Sequence, residues 1–186
     1  MPTPYFMLGL NFAPRSVQVE IYYPDYRGVD IMERANFHDF WYVKGSHFST
    51  MLTCASARVM SQQFKDLYDQ NGWTGLTFSE AIVIHDLKPG LSVPTNYYYV
   101  QVVGRCEKVV AHTIVKGKSV DFKSGWEVVN DGGFSFFIAS KLGQWICQAD
   151  VAKTLQKAKV SNMYFDDFEQ YKSYPIPEED PNQMEF

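Results

Sequence analysis

Four residues in one aromatic stretch could do chemistry: His38, Asp39, His47 and Ser49. Serine as nucleophile, histidine as base and aspartate as orienting acid is the set that activates a hydroxyl for acyl transfer. The rest of such a site is missing. Ser49 stands in His47-Phe48-Ser49-Thr50-Met51, with no glycines to build a strained elbow and no obvious oxyanion site. As metal ligands, neither histidine has a companion two or four residues away. His85-Asp86, at a strand end, reads as turn chemistry with a solvent-facing imidazole rather than as a general base. Cys147 falls at the inferred start of a second helix, where a dipole could stabilise a thiolate, but its repeat partner Met60 is an inert apolar residue, so a buried structural thiol is the expectation. Without a GxGxxG or P-loop pattern, nucleotide binding has no support. The expectation is no catalytic site, no metal and no cofactor.

Apolar residues make up 46% of the 186 and aromatics 16%, a composition for a strand-rich folded core rather than for disorder. Formal net charge is −4, unevenly placed. From residue 166 onward the carboxylates are Asp166, Asp167, Glu169, Glu178, Glu179, Asp180 and Glu185, against the single base Lys172. The body is nearly neutral and carries no basic stripe, which leaves phosphate-driven nucleic-acid binding with little support. Three widely spaced cysteines without a CxxC pair argue against a disulfide framework or zinc knuckle and fit a reducing compartment. The N-terminus makes a poor signal peptide, and no run is apolar and long enough for a membrane span. These features predict a cytoplasmic protein.

The elements that position these residues centre on residues 59–78. A short apolar run stops at Ser61, whose hydroxyl could cap a helix. Phe64, Leu67 and Tyr68 recur at helical spacing, Asn71-Gly72 ends the helix, and Leu76 and Phe78 alternate as one face of a strand. Residues 146–165 show the same strand-helix-strand pattern at a constant offset of 87 residues, which sets Phe64 opposite Val151, Tyr68 opposite Leu155 and Thr74-Gly75 opposite Ser161-Asn162. Independently, Pro2-Thr3-Pro4-Tyr5-Phe6-Met7 resembles Pro94-Thr95-Asn96-Tyr97-Tyr98-Tyr99 at an offset of 92. We read an internal duplication. The expected fold is α+β, one domain over residues 1–173 built from two strand-helix-strand halves (about 1–90 and 91–173) with mixed, mostly antiparallel sheets. Residues 174–186, rich in proline and acid, read as a flexible tail.

Elsewhere, alternation predicts strands at 17–21 and 97–103, and aromatic density predicts one at 37–43. Residues 22–28 read as a loop, and 55–57 as small-residue packing. Residues 109–115 are candidates to pair with 97–103, with a turn at 116–118. Asn130-Asp131-Gly132-Gly133 is the strongest hairpin signal, and 86–90 is the seam between the halves.

The stretches Ser61-Gln62-Gln63-Phe64-Lys65-Asp66-Leu67 and Gly72-Trp73-Thr74-Gly75-Leu76-Thr77-Phe78 resemble an element of a family of bacterial immunity proteins. So do Trp145-Ile146-Cys147 through Val151-Ala152 and the run from Val160 to Phe165. That family belongs to polymorphic toxin systems, including those of myxobacterial kin discrimination. The resemblance implies a cytoplasmic protein that binds a cognate toxin domain and blocks it, with no functional residue to carry across. Many toxin domains are basic because they attack nucleic acid, so the acidic end offers a contact surface: Asp166, Asp167 and Glu169, with Tyr171 or Tyr174 as aromatic anchors; the alternative is that the acidic tail only aids solubility. The competing readings are a small ligand-binding module or enzyme using the aromatic middle segments, and a scaffold subunit.

Overall fold

Period-two and period-3.6 patterns each find their element in the computed structural model, which describes residues 5–11, 13–21, 38–55, 57–106, 108–114, 123–138 and 145–167. The loop expected at 22–28, the turn at 116–118 and the tail at 174–186 lie outside these. In chain order, the first half contains β1 (Tyr5–Leu10), β2 (Gln18–Ile21), β3 (Asp39–Lys44), β4 (Met51–Leu52), β5 (Arg58–Ser61), α1 (Gln62–Gln70), β6 (Leu76–Ala81) and β7 (Val83–His85). The second contains β8 (Tyr97–Val102), β9 (Lys108–Ile114), β10 (Lys123–Asn130), β11 (Phe136–Ile138), β12 (Trp145–Gln148), α2 (Ala149–Lys157) and β13 (Met163–Asp167). The protein is a single α+β domain whose described strands pair antiparallel except for β3 with β7. No described helix is long and apolar enough to cross a membrane.

Two four-stranded sheets carry the architecture, ordered β4-β5-β8-β6 and β11-β12-β1-β13. Their registers match residue for residue. Arg58 faces Val100 and Met60 faces Tyr98; at the offsets read from the sequence, Trp145 faces Leu8 and Cys147 faces Phe6. On the other side of each central strand, Leu76 faces Val102 and Met163 faces Leu10, while Thr77 faces Gln101 and Tyr164 faces Gly9. Each sheet therefore takes its central strand from the other half of the chain. The sheets differ at their edges: β6 bulges between Phe78 and Ala81, whereas β13 keeps an unbroken register as far as Asp167.

The helix ends match in the same way. Gly72 and Lys159 both take positive φ (61° and 53°) just past the helices, and Gly75 and Asn162 do so before the returning strands (97° and 64°). The Trp73 amide donates to the Tyr68 carbonyl, as the Val160 amide does to that of Leu155. Ser61 occupies the N-cap position of α1, but its buried hydroxyl makes no capping bond; it turns inward at the end of β5 instead of toward the helix amides.

Alternation along these strands builds layers. Leu8, Met60, Val100, Trp145 and Cys147 join Phe64 of α1 and Val151 and Leu155 of α2 in the main core. The intervening residues face away. Val59, Leu52 and Tyr97 pack with Val17, just before β2, and with Val19 and Phe40 of the β2-β3-β7 sheet in a second core, and Met7, Ile146 and Phe137 form a third cluster with Cys106. Burying a large apolar side chain contributes roughly 1.5–3 kcal/mol, so fully buried residues such as Phe64, Phe136 and Phe40 anchor the layers.

Three local expectations are corrected. β9 pairs with β10, not with the 97–102 strand, because both edges of β8 are occupied by β5 and β6. Asn130-Asp131-Gly132-Gly133 makes a turn but no hairpin: it carries the chain from β10 to β11, which pairs with β12. Asp131 holds that turn in place, accepting from the Gly133 amide (2.8 Å), the Gln148 amide group (3.1 Å) and the Tyr5 hydroxyl (3.1 Å). Finally, Ala57 is buried as expected of small-residue packing, but Ala55 is exposed.

Candidate functional site

The acidic surface read from the sequence begins on β13, the outermost described strand of its sheet. A strand sends successive side chains to opposite faces, and β13 obeys: Met163 is buried and Phe165 half-buried toward the core, while Tyr164 and Asp166 are exposed. Asp167 falls in the Met163 and Phe165 phase. The pleat thus separates Asp166 from Asp167, two carboxylates adjacent in sequence. It joins Asp166 with Tyr164, an aromatic residue the sequence reading passed over, although the alternation in Met163-Tyr164-Phe165-Asp166 was there to find it. Glu169, Tyr171 and Tyr174 lie outside the described residues.

Tyr164 owes its position to Gly9. The two are cross-strand partners, and a Cβ on Gly9 would overlap the tyrosine ring. Glycine lets the ring lie across β1, a packing that compensates for the glycine's missing side chain. Tyr164 remains 40% exposed. The ring and the Asp166 carboxylate thus share one face of a strand fixed by backbone pairing to β1.

The candidate chemical residues do not assemble into a triad. The Ser49 hydroxyl is buried and pairs with that of Ser16 at 3.0 Å, while its carbonyl accepts from the Tyr97 hydroxyl at 2.9 Å. Burial pushes the Tyr97 pKa far up, which keeps that hydroxyl a donor. His38 and His47 are exposed, and the His47 main chain pairs with Val17 and Arg15. His85 ends β7, the strand end expected for it, and the turn begins at Asp86 (φ 55°). Parallel pairing of β3 with β7 sets His85 beside Trp41. The imidazole stacks on the indole at 4.8 Å between centroids, and Nε2 meets Asp39 Oδ1 at 2.6 Å. Both partners of this pair are a third or more exposed, so it contributes at most about 1 kcal/mol to tying the strands together. A separate cleft of about 250 Å³ is lined by His38, Ser79, Tyr99 and Gln101 among others.

Cys147 is in β12, not at a helix start, and Gln148 takes the N-cap of α2. It is fully buried, and burial, with a contribution from Asp150, pushes its pKa far above the ordinary thiol value. Such a thiol is unreactive. Cys54 and Cys106 are also buried and unbridged. Among the described residues, no three of His, Cys, Asp and Glu stand close enough together to hold a metal ion. No protein-family model matches this chain, and no curated protein is similar to it in sequence.

Proposed function

We propose that this protein is a non-catalytic immunity protein of the cytoplasm, which binds a cognate bacterial toxin domain and blocks it by direct protein contact. The observation that carries the reading is the outward face of β13, where exposed Tyr164 and Asp166 stand side by side at the head of the acidic C-terminal residues. Carboxylates there attract a basic partner and raise its association rate, and the tyrosine supplies apolar contact area once the surfaces meet. On a basic nuclease toxin the acidic face of this chain takes the place of nucleic acid, so this chain needs no nucleic-acid surface of its own. The toxin assignment rests on the resemblance of residues 59–78 and 145–165 to immunity proteins of polymorphic toxin systems.

The test is co-expression with the product of the neighbouring gene, scoring survival. Protection by the wild-type chain, lost in a folded Tyr164→Ala, Asp166→Asn double variant, is the expected result. Failure of the wild-type chain to form a complex with any toxin encoded beside it would overturn the proposal.

A further inference from the structure

Where β5 and β12 run out of the main core, a cleft of about 520 Å³ opens between Arg58, Tyr99, Arg105 and Trp145. That volume lies within the range of small-ligand sites. Arg58 sits on its wall in an unusual state. Its Nε is buried and without a hydrogen-bond partner, and no carboxylate among the described residues pairs with its guanidinium. The guanidinium carbon stands 6.0 Å from the centre of the Trp145 ring. Burial lowers the Arg58 pKa, with nearby Cys54 and Tyr164 opposing, yet an arginine stays charged in proteins. A half-buried cation facing an aromatic ring, with a donor unspent, calls for an anion.

Arg105 faces the same space and is held in place. Its Nη1 donates to the carbonyls of Val102 (2.7 Å) and Gly104 (3.0 Å), which orients the fork and leaves its other N–H groups for a ligand. The backbone beneath it is fixed as well: Arg105 bridges to Ile138, and a Cβ on Gly104 would strike the Phe136 carbonyl oxygen. Two planar forks, one desolvated and one tied down, suit an oxyanion that accepts several N–H bonds at once. Trp145 and Tyr99 add aromatic walls for whatever carries it.

We propose that this cleft binds a small molecule bearing an oxyanion, a carboxylate or a phosphate monoester on a planar apolar body, with Arg58 and Arg105 as its cationic ligands. Arg58 lies near Tyr164 of the β13 surface, but the tests are distinct: failure of this proposal would leave the toxin reading untouched. The test is NMR titration of the full chain with benzoate and phenyl phosphate, with benzamide as the neutral control, following the arginine Nε–H and tryptophan indole N–H signals. Saturable shifts at Arg58 and Trp145 with an anion, absent with benzamide, are expected; whichever anion binds tighter names the head group. Arg58→Gln and Arg105→Gln should each weaken binding by about tenfold or more, the worth of a charge-assisted bond. Arg105 is exposed, so its variant reports on binding even if Arg58→Gln fails to fold. Absence of saturable shifts, equal response to benzamide, or unchanged binding in Arg105→Gln would overturn the proposal and leave Arg58 a structural cation on Trp145.

Discussion

Thr50 and Ser161 bond each other reciprocally: the Thr50 amide donates to the Ser161 hydroxyl at 2.8 Å, the Ser161 amide donates to the Thr50 hydroxyl at 3.0 Å, and the two hydroxyls also pair at 3.3 Å. Thr74 and Ser135 make the same reciprocal pair, both at 3.2 Å. These clasps join the strand that opens each sheet to the turn that closes the other. Ser161→Ala leaves the Thr50 amide without its acceptor and should cost about 1–3 kcal/mol. Ser135→Ala should cost less, because the Thr74 amide it serves is more exposed and water replaces the hydroxyl. Urea midpoints of the two variants check the order; a larger loss in Ser135→Ala would contradict it.

Asn162 and Gly75 share a left-handed backbone but cannot be exchanged. The Asn162 amide group donates to the Met51 carbonyl (2.8 Å) and to the hydroxyls of Ser16 (3.1 Å) and Thr53 (3.3 Å), and its oxygen accepts from the Ala13 amide. A Cβ at Gly75 would collide with the Phe136 carbonyl oxygen. Asn162→Gly keeps the backbone and loses only the bonds, whereas Asn162→Ala loses both; thermal melting should rank Ala below Gly, by about 1 kcal/mol. Gly75→Asn should fail to fold.

Along α1, Phe64 is fully buried among Phe78, Phe136 and the main core, and Leu67 is only half-buried. Phe64→Ala should cost about 3–5 kcal/mol. Leu67→Asp should still destabilise, since it sets a charge against the core edge, but its side chain has a route to water. A melting curve unaffected by Leu67→Asp would mean that the helix face is misassigned.

Stability should fall at both pH extremes through Tyr5 and Asp131. Burial opposes ionisation of Asp131, but bonds from the Gly133 amide, Gln148, Tyr5 and its own backbone outweigh it and hold the pKa below the ordinary value. That contribution is present above the unfolded pKa of about 4 and fades as pH drops through the folded value. Tyr5 is pushed up to about 12 by burial, then by the charge and hydrogen bond of Asp131. Its contribution is complete below pH 10 and lost as pH rises toward 12. Stability measured against pH should show a shallower acid limb in Asp131→Asn and a shallower alkaline limb in Tyr5→Phe.

On β13, Asp166→Asn should slow association with a basic toxin domain at low salt and matter less at high salt, where charges are screened over roughly 8–10 Å. Tyr164→Ala should act mainly on dissociation. Gly9→Ala, which displaces the Tyr164 ring, should weaken binding too, although Gly9 itself is buried. Stopped-flow rates at two salt concentrations separate these effects. Rates unchanged in all three variants would place the interface elsewhere.

Local pattern was enough to locate both helices within a residue at each end and to align the halves, because helix and strand periods are written in which side chains are apolar. The match between residues 2–7 and 94–99 already marked Tyr5–Leu10 and Tyr97–Val102 as equivalent strands. It could not say that each would enter the other half's sheet, since a hydrogen-bonded edge carries no side-chain signature. The same limit misdirected β9 toward β8 and made a hairpin of the Asp131 turn: turn chemistry fixes a change of direction, not which strand is met afterwards. At the surface, composition announced an acidic C-terminal end, but only the pleat of β13 decided that Asp166 would stand with Tyr164 and apart from Asp167. Arg58 was the least legible of all. Its register opposite Val100 comes from the pairing of β5 with β8 within one sheet, and its place over Trp145, 87 residues further along the chain, arises only when the two sheets pack against each other.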